Sequence, residues 1–448
     1  MNHRGRPMSP AKIIAIAFAL IIALGTALLM LPISSRDGQS ASLIGALFTA
    51  TSATCVTGLT MYDTFTQWSG FGQGILLVLF EVGGLGFMSI ATLFTVMFRK
   101  RVGLKSRMLM AQALSLNEME GVFRLQKTVL FGSLLVQGIG ALALTVCFWP
   151  RYGLVKAFWW GCFHAISAFC NAGFDILGTL EPGASLITVQ DQPCVLLVLS
   201  ALVIVGGLGF LVWEECISGK PLKKFSVYAK LVLITTAVLL IGGWLAFLAT
   251  EWNNPATIGN MSLTDKLVNA FFESVTLRTA GFASIDQGSL TDGGKMAAIF
   301  LMLIGGSSGS TAGGLKTVTF VVVLLFMRTR ARGKQTVTVF HRTIPQDQVM
   351  NAMTICIIMV LLSVLGAFFI CLTSPVSLTD GLFEAVSALA TVGVTAGATA
   401  KLSLAARILV ILYMYFGRVG VLTISLGFLM GDQAEERYHY AQTNLLIG

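Results

Sequence analysis

Apolar positions along the chain gather into eight runs, each close to the roughly 20 residues that a helix needs to cross a bilayer. They extend over Lys12 to Pro32, Phe71 to Phe98, Thr128 to Phe148, Val195 to Trp213, Leu231 to Leu248, Met296 to Met327, Ala352 to Leu372 and Leu402 to Met430, and all eight are read as helices. Inside each successive pair of runs lies a shorter amphiphilic stretch: Leu43 to Ala53, Phe158 to Ala168, Lys266 to Thr276 and Leu382 to Ala388. These are too short to span, so each predicts a re-entrant segment. Arg4, Arg6 and Lys12 precede the first run as they would a secretory signal, but the run exceeds the roughly 7 to 15 apolar residues of a signal core. No small-x-small cleavage site follows Leu31-Pro32, and the run is read as a membrane helix.

Composition agrees with that pattern. Of the 448 residues 55% are hydrophobic and 11% charged, with mean hydropathy +0.81. A soluble domain averages about 25% charged residues, so this chain reads as an integral membrane protein. The net charge of +9 would suit a nucleic-acid binder, but its distribution points elsewhere. The linkers Arg99 to Lys127, Lys220 to Lys230 and Arg328 to Arg342, with the two termini, carry 20 of the 30 Lys and Arg. By the positive-inside rule these linkers and both termini are cytoplasmic. The eight Cys are scattered, with no C-x-x-C pair and no Cys/His cluster, so neither a disulfide scaffold nor a zinc site is expected.

Each re-entrant stretch ends in a small or polar cluster around one glycine: TSATCVTGLT, SAFCNAGFD, SVTLRTAGFA and SALATVGVT. The glycines, Gly58, Gly173, Gly281 and Gly393, are 115, 108 and 112 residues apart. A second landmark, FEVGGLGF, VIVGGLGF, LIGGSSGS and YFGRVGVL, begins its glycines at Gly83, Gly206, Gly305 and Gly417. Two landmarks in four copies define repeats over 1–105, 106–222, 223–335 and 336–430, followed by a polar tail over 431–448. Each repeat holds two crossings, so all four enter the membrane from the same side, whereas inverted-repeat carriers need an odd number. The predicted fold is an all-α membrane protein of four parallel helix, re-entrant loop, helix repeats around a central pore.

Four short helices converging mid-membrane point their C-terminal carbonyl dipoles at the axis, which favours a cation. The chain returning from each must be extended, and such backbone is tolerated only where it is buried or lines a water-filled path. Rings of its carbonyls then replace the hydration shell of a permeating ion. The residues before the glycines, Val56-Thr57, Asn171-Ala172, Thr279-Ala280 and Thr391-Val392, are uncharged, so no carboxylate ring is formed. That suits a monovalent cation better than calcium, which takes six to eight oxygen ligands, often from carboxylates.

The third repeat departs from the others in its second helix. There Gly305, Gly306, Ser307, Ser308, Gly309, Ser310, Thr311, Ala312, Gly313 and Gly314, closed by Leu315 and Lys316, are too rich in Gly and Ser for a helix interior. This segment is expected to break the helix into a loop that obstructs or opens the path. Its GSTAGGLKT is not a phosphate-binding G-x-x-x-x-G-K-[ST], because Leu315 intrudes. Arg418 replaces the second glycine of the landmark, and an arginine in the membrane is read as functional; Glu81 is its candidate partner if the role is structural. Arg278 is expected to brace the filter from behind. Glu273 and Glu384 are expected to bond filter backbone or attract cations, and His164 to be a packed polar side chain.

The fourfold plan, the segments TSATCVTGL, SAFCNAGF, TLRTAGF and ALATVGV, and the GGSSGSTAGGLKT loop together resemble the Trk/Ktr/HKT superfamily of potassium transporters over essentially the whole length. The first run begins by about residue 12, without the extra helix pair of Trk-type relatives, which places the resemblance nearest the KtrB-type membrane subunits. The resemblance implies potassium uptake, sodium-dependent in several members, with potassium held by backbone carbonyls at Gly58, Gly173, Gly281 and Gly393. It identifies Gly305 to Gly314 as the gate loop and Arg418 as the pore arginine. It further implies a homodimer in the plasma membrane with one pore per subunit, a cytoplasmic ring of KtrA-like nucleotide-binding subunits, and a C-terminal tail packed at the dimer face. A carrier for another cation or small solute remains the alternative. No enzyme motif such as H-E-x-x-H or G-x-S-x-G occurs, and no cofactor or nucleic acid is expected.

Overall fold

The computed structural model describes residues 10–86 and 122–420. In chain order its helices are α1 (Pro10–Leu29), α2 (Leu43–Thr54), α3 (Thr64–Gln67), α4 (Gly70–Leu85), α5 (Val122–Tyr152), α6 (Leu154–Phe169), α7 (Pro193–Gly207), α8 (Phe210–Ile217), α9 (Val227–Glu251), α10 (Leu263–Thr276), α11 (Asp292–Leu303), α12 (Thr317–Ala331), α13 (Gln346–Thr373), α14 (Leu378–Leu389) and α15 (Leu404–Val419). The four stretches expected to be re-entrant form α2, α6, α10 and α14. Three of them start on the same device: Ser42, Ser262 and Ser377 each accept a hydrogen bond from the backbone N–H three residues on, satisfying a donor the first turn leaves free. α6 instead follows α5 directly through Gly153, whose φ of 78° turns the chain back on itself.

The eight runs do not all become continuous spans. Among the described residues four helices are long and apolar enough to cross a membrane, α1, α5, α9 and α13, with the bent pair α7 and α8 making a fifth. These four are the first run of each repeat. The second runs are interrupted: α7 and α8 meet at 99°, and α11 and α12 are separated by Ile304 to Lys316. α4 and α15 stop at Gly86 and Gly420. Gly86, Gly209 and Gly420, at φ of 80°, 91° and 96°, each stand three residues past the first landmark glycine. A left-handed residue ends a helix, and glycine takes that conformation without steric cost. The break expected in the third repeat alone thus has counterparts in the others. Residues 87–98 of the second run, the basic linker to residue 121 with the repeat boundary at 105/106, residues 421–430, and the tail 431–448 lie outside the described residues.

Two further expectations need correction. The fold is not wholly α-helical, since in the linker before α13 β1 (Thr338–Val339) pairs antiparallel with β2 (Arg342–Thr343). Phe340 and His341 both take positive φ in the two-residue turn, the geometry that matches strand twist. The scattered cysteines also include one bonded pair: Cys147 near the end of α5 is linked to Cys194 at the start of α7. Spacing in sequence hid it, because the two cysteines are 47 positions apart, with the whole of α6 between them. Arg151 and Asp191 form an ion pair at the same corner, and the Arg151 hydrogen bond holds the Asp191 carboxyl below the usual carboxylate range. Replacing Cys147 by Ser is expected to cost about 2–4 kcal/mol, read as a lower melting temperature. An unchanged melting temperature would remove the disulfide from the native state.

The elements close into a ring. α4 packs on α6, α7 on α10, α11 on α14, and α15 on α2, so the second helix of each repeat lies against the re-entrant helix of the next and the fourth returns to the first. The Tyr415 hydroxyl completes this closure by donating to the Ala15 carbonyl of α1. Phe80 of α4 fills the first of these junctions, edge-on to Phe163 and against Phe174. The landmark glycines permit the closest contacts: a Cβ on Gly83, Gly206 or Gly417 would collide with the carbonyl of Thr54, Phe169 or Leu389, in the last turn of each repeat's own re-entrant helix.

Candidate functional site

The re-entrant helices end at one place. Two residues before each glycine the chain turns sharply, with Val56, Asn171, Thr279 and Thr391 at φ of 48°, 57°, 66° and 53°. Asparagine tolerates this region, but for β-branched Val and Thr it costs on the order of 1–3 kcal/mol each. The surrounding structure holds it in place. Ser52 and Ser387 accept from the N–H of Gly58 and Gly393 at 3.1 Å, and Ser167 both donates to the Phe174 carbonyl and accepts from its N–H. The Thr276 hydroxyl donates to the Phe282 carbonyl at 2.7 Å. Sequence reasoning missed these four braces, although a hydroxyl five or six residues before each glycine was a visible signal.

The glycines form a closed ring. A Cβ on Gly58 would lie 3.0 Å from the Ala172 oxygen, on Gly173 2.6 Å from that of Ala280, and on Gly281 2.7 Å from that of Val392. On Gly393 it would collide with the Thr57 oxygen, returning to the first repeat. Each glycine therefore faces the carbonyl of the residue preceding the next repeat's glycine. Val56, Thr57, Asn171, Ala172, Thr279, Ala280, Thr391 and Val392 are all buried. Yet none of their carbonyls, nor those of the four glycines, accepts a hydrogen bond from the described residues. The hydroxyls of Thr57, Thr279 and Thr391 are likewise buried and unpartnered. Buried carbonyls are almost always paired, so a dozen left open at one place calls for something else to occupy them.

One face of the ring opens into a cavity of about 340 Å³. All four glycines line it, together with Asp63, Asp175 and Asp286 from the loops after the first three of these glycines. Glu273 accepts from the Gln287 side chain and from the backbone of Ser284 and Ile285, just past the third glycine segment, and Glu384 accepts from the hydroxyls of Thr395 and Thr399, so both anchor the returning loops. His164 is buried among Phe148, Phe163 and Phe282, with Nδ1 2.7 Å from the Trp160 carbonyl.

The opposite face is covered by the segment Ile304 to Lys316. It is irregular and tied at both ends, with the Gly305 N–H on the Leu315 carbonyl and the Thr317 N–H on that of Gly306. Its middle is pinned to the second repeat: the N–H groups of Ser307 and Thr311 donate to the Gly207 and Gly206 carbonyls, and the Gly309 carbonyl accepts from Phe210. The Thr311 hydroxyl donates to Asn171 Oδ1 at 3.2 Å, and Gly313 lies against the Thr391 side chain. Lys316 Nζ donates to the Ala312 carbonyl, and the Tyr228 hydroxyl to that of Ser308, both at 2.8 Å.

Arg418 fastens this segment to the first repeat. Its guanidinium donates to the carbonyls of Thr311, Gly83 and Gly84, the last at 2.9 Å. The anticipated partner Glu81 is thus replaced by backbone oxygens, because α4 exposes its last carbonyls where it stops at Gly86. Arg278 does not brace the filter through its charged group either. The contact runs through its backbone, whose carbonyl accepts from Asn171 Nδ2 at 3.3 Å.

Comparison with known proteins identifies the family. The family model described as TrkH, cation transport protein, matches residues 6–437. The chain is 43% identical over 446 residues to the potassium/sodium uptake protein NtpJ of Enterococcus hirae, covering 98% of each chain. It is 39% identical over 430 residues to the Ktr system potassium uptake protein B of Bacillus subtilis, covering 96% of this chain and 95% of the relative. Among solved structures, the potassium transporter TrkH of Vibrio parahaemolyticus superposes with a TM-score of 0.73 at 17% identity, over 96% of this chain and 86% of that one. At that identity the likeness concerns the fold.

Proposed function

This chain belongs to the TrkH family of cation transport proteins, and from that premise we propose that it takes up potassium across the cytoplasmic membrane through the ring of filter carbonyls. It is a multi-pass membrane transporter and not an enzyme. The observation that carries the reading is the set of unbonded carbonyls from Val56 to Gly58, Asn171 to Gly173, Thr279 to Gly281 and Thr391 to Gly393. They offer neutral oxygens to an ion that sheds its water, with no carboxylate in the ring itself. The aspartates Asp63, Asp175 and Asp286 stand back from the ring in the cavity, where they raise the local cation concentration without binding the ion too tightly to leave.

The distribution of Lys and Arg supports a topology with the cavity outside and the segment Ile304 to Lys316 on the cytoplasmic side of the ring. In that position the segment acts as the gate. The names of the relatives support sodium as co-ion or activator and a multi-component system; in our reading the other components are a homodimer of this chain and a KtrA-like cytoplasmic ring, as the family resemblance implies. The deciding measurement is potassium and sodium flux through purified protein in liposomes, with and without the ring. Saturable uptake of an organic solute without cation flux would replace this reading with the carrier alternative.

Tyr228 adds a smaller prediction. It is the second residue of α9, just after the basic linker Lys220 to Ser226, and its hydroxyl holds the loop at Ser308. One such bond is worth about 1 kcal/mol net. Tyr228→Phe is therefore expected to raise potassium flux about fivefold with unchanged selectivity, and a rate equal to wild type would mean that this bond does not restrain the loop.

A further inference from the structure

The third of the four glycine segments receives less support from its own re-entrant helix than the others. Six residues before the glycine the first, second and fourth repeats place Ser52, Ser167 and Ser387, and each hydroxyl accepts from a backbone N–H of its segment. The third repeat has Val275 there. The Gly281 N–H reaches the Thr276 carbonyl at 3.4 Å, and the Thr276 hydroxyl is engaged as a donor to Phe282. Support comes instead from the second repeat. Beyond the glycine, the Leu186 N–H donates to the Ala283 carbonyl at 3.0 Å. Before it, Asn171 Nδ2 donates to the Arg278 carbonyl at 3.3 Å, next to the positive-φ turn at Thr279. The other end of the same amide, Oδ1, accepts from the Thr311 hydroxyl of the covering segment. Asn171 is fully buried, and the residues at its position in the other repeats, Val56, Thr279 and Thr391, have no amide to offer.

We propose that Asn171 is a specificity-determining residue of the ring: its Nδ2 fixes the segment that carries the carbonyls of Thr279 to Gly281, while its Oδ1 separately latches the gate. The inference rests on the reading of the ring as a potassium filter. A carbonyl ring discriminates between potassium and sodium by the size of the space it encloses or by the number of oxygens it presents. A segment released from Asn171 can move inward onto the smaller sodium ion or withdraw and leave fewer oxygens, so discrimination falls on either account. The two bonds of the amide differ in when they act. The Arg278 bond joins two ring segments and persists when the loop moves away, whereas the Thr311 bond exists only while the ring is covered. Ions cross only when it is uncovered, so Thr311 governs how often the path is open and not which ion uses it.

Potassium and sodium flux through the full-length protein in liposomes separates the two roles. Asn171→Thr places here the residue that the third and fourth repeats carry at the same turn, at φ of 66° and 53° against 57°, so the backbone accommodates it. This variant is expected to raise potassium flux about fivefold, the factor carried by one net hydrogen bond, and to lower the potassium-to-sodium flux ratio at least about threefold. Thr311→Val is expected to raise flux to the same extent with the ratio unchanged, and the double variant to match Asn171→Thr in both. An unchanged ratio in Asn171→Thr, or a ratio that falls as far in Thr311→Val, would overturn the assignment and leave the transport reading intact. Absence of potassium flux through the wild-type protein would overturn both. Asn171→Val, which copies the turn of the first repeat, puts the same question if the threonine variant does not fold.

Discussion

Gly393→Asp is expected to reduce potassium flux to the background of protein-free liposomes. The substitution acts three ways at one atom. The backbone there has φ of 101°, a conformation that L residues adopt at a cost of about 1–2 kcal/mol. Its Cβ would collide with the Thr57 oxygen, so one ring carbonyl must move. The carboxylate also places a fixed charge on the proposed ion path, which would deepen binding and block release. The four positions are graded by space. Gly58, with 3.0 Å to the nearest oxygen, is expected to retain the most flux as Ala, Gly173 and Gly281 less, and Gly393 the least. Flux at the wild-type rate in folded Gly393→Asp, or a reversed order in the alanine series, would remove these glycines from the ion's path.

Much of this site is legible in the sequence because the repeat multiplies a weak signal. A single glycine in an apolar run means little, since membrane helices use many for packing. Four at near-constant spacing, each after an amphiphilic stretch too short to span, locate the re-entrant helices to within a few residues of α2, α6, α10 and α14. What stays hidden is set by backbone conformation and by contacts between repeats. The positive φ at Val56, Thr279 and Thr391 runs against the preference of those residue types, so no propensity announces it. The breaks at Gly86 and Gly209 are masked by the apolar residues around them, whereas the third repeat reveals its break by composition. The Arg418 partners are carbonyls, which carry no side-chain signature, and charge pairing therefore pointed to Glu81. The link between Cys147 and Cys194 depends on where α5 and α7 end in space.

Shortening the loop by removing residues inside Gly305 to Gly314 is expected to raise potassium flux at least about tenfold. The loop covers one face of the ring through many small attachments: Thr311 on Asn171, Ser308 on Tyr228, two N–H groups on Gly206 and Gly207, and Arg418 on the Thr311 carbonyl. A neutral bond contributes about 0.5–1.5 kcal/mol net and one to a charged group about 1.5–3 kcal/mol. The arginine is thus the strongest single restraint, and Arg418→Gln alone is expected to shift the balance of open to covered ring by about 10- to 100-fold, 1.4 kcal/mol being a factor of ten. Its removal acts in the same direction through charge, since a cation leaving the ring no longer passes a fixed guanidinium. The two contributions separate in a combined variant. If Arg418 works only as a fastener, Arg418→Gln adds nothing once the loop is shortened; if its charge also repels the passing ion, flux rises further. A shortened loop with flux at or below wild type in folded protein would show that the segment supports the ring rather than closing it.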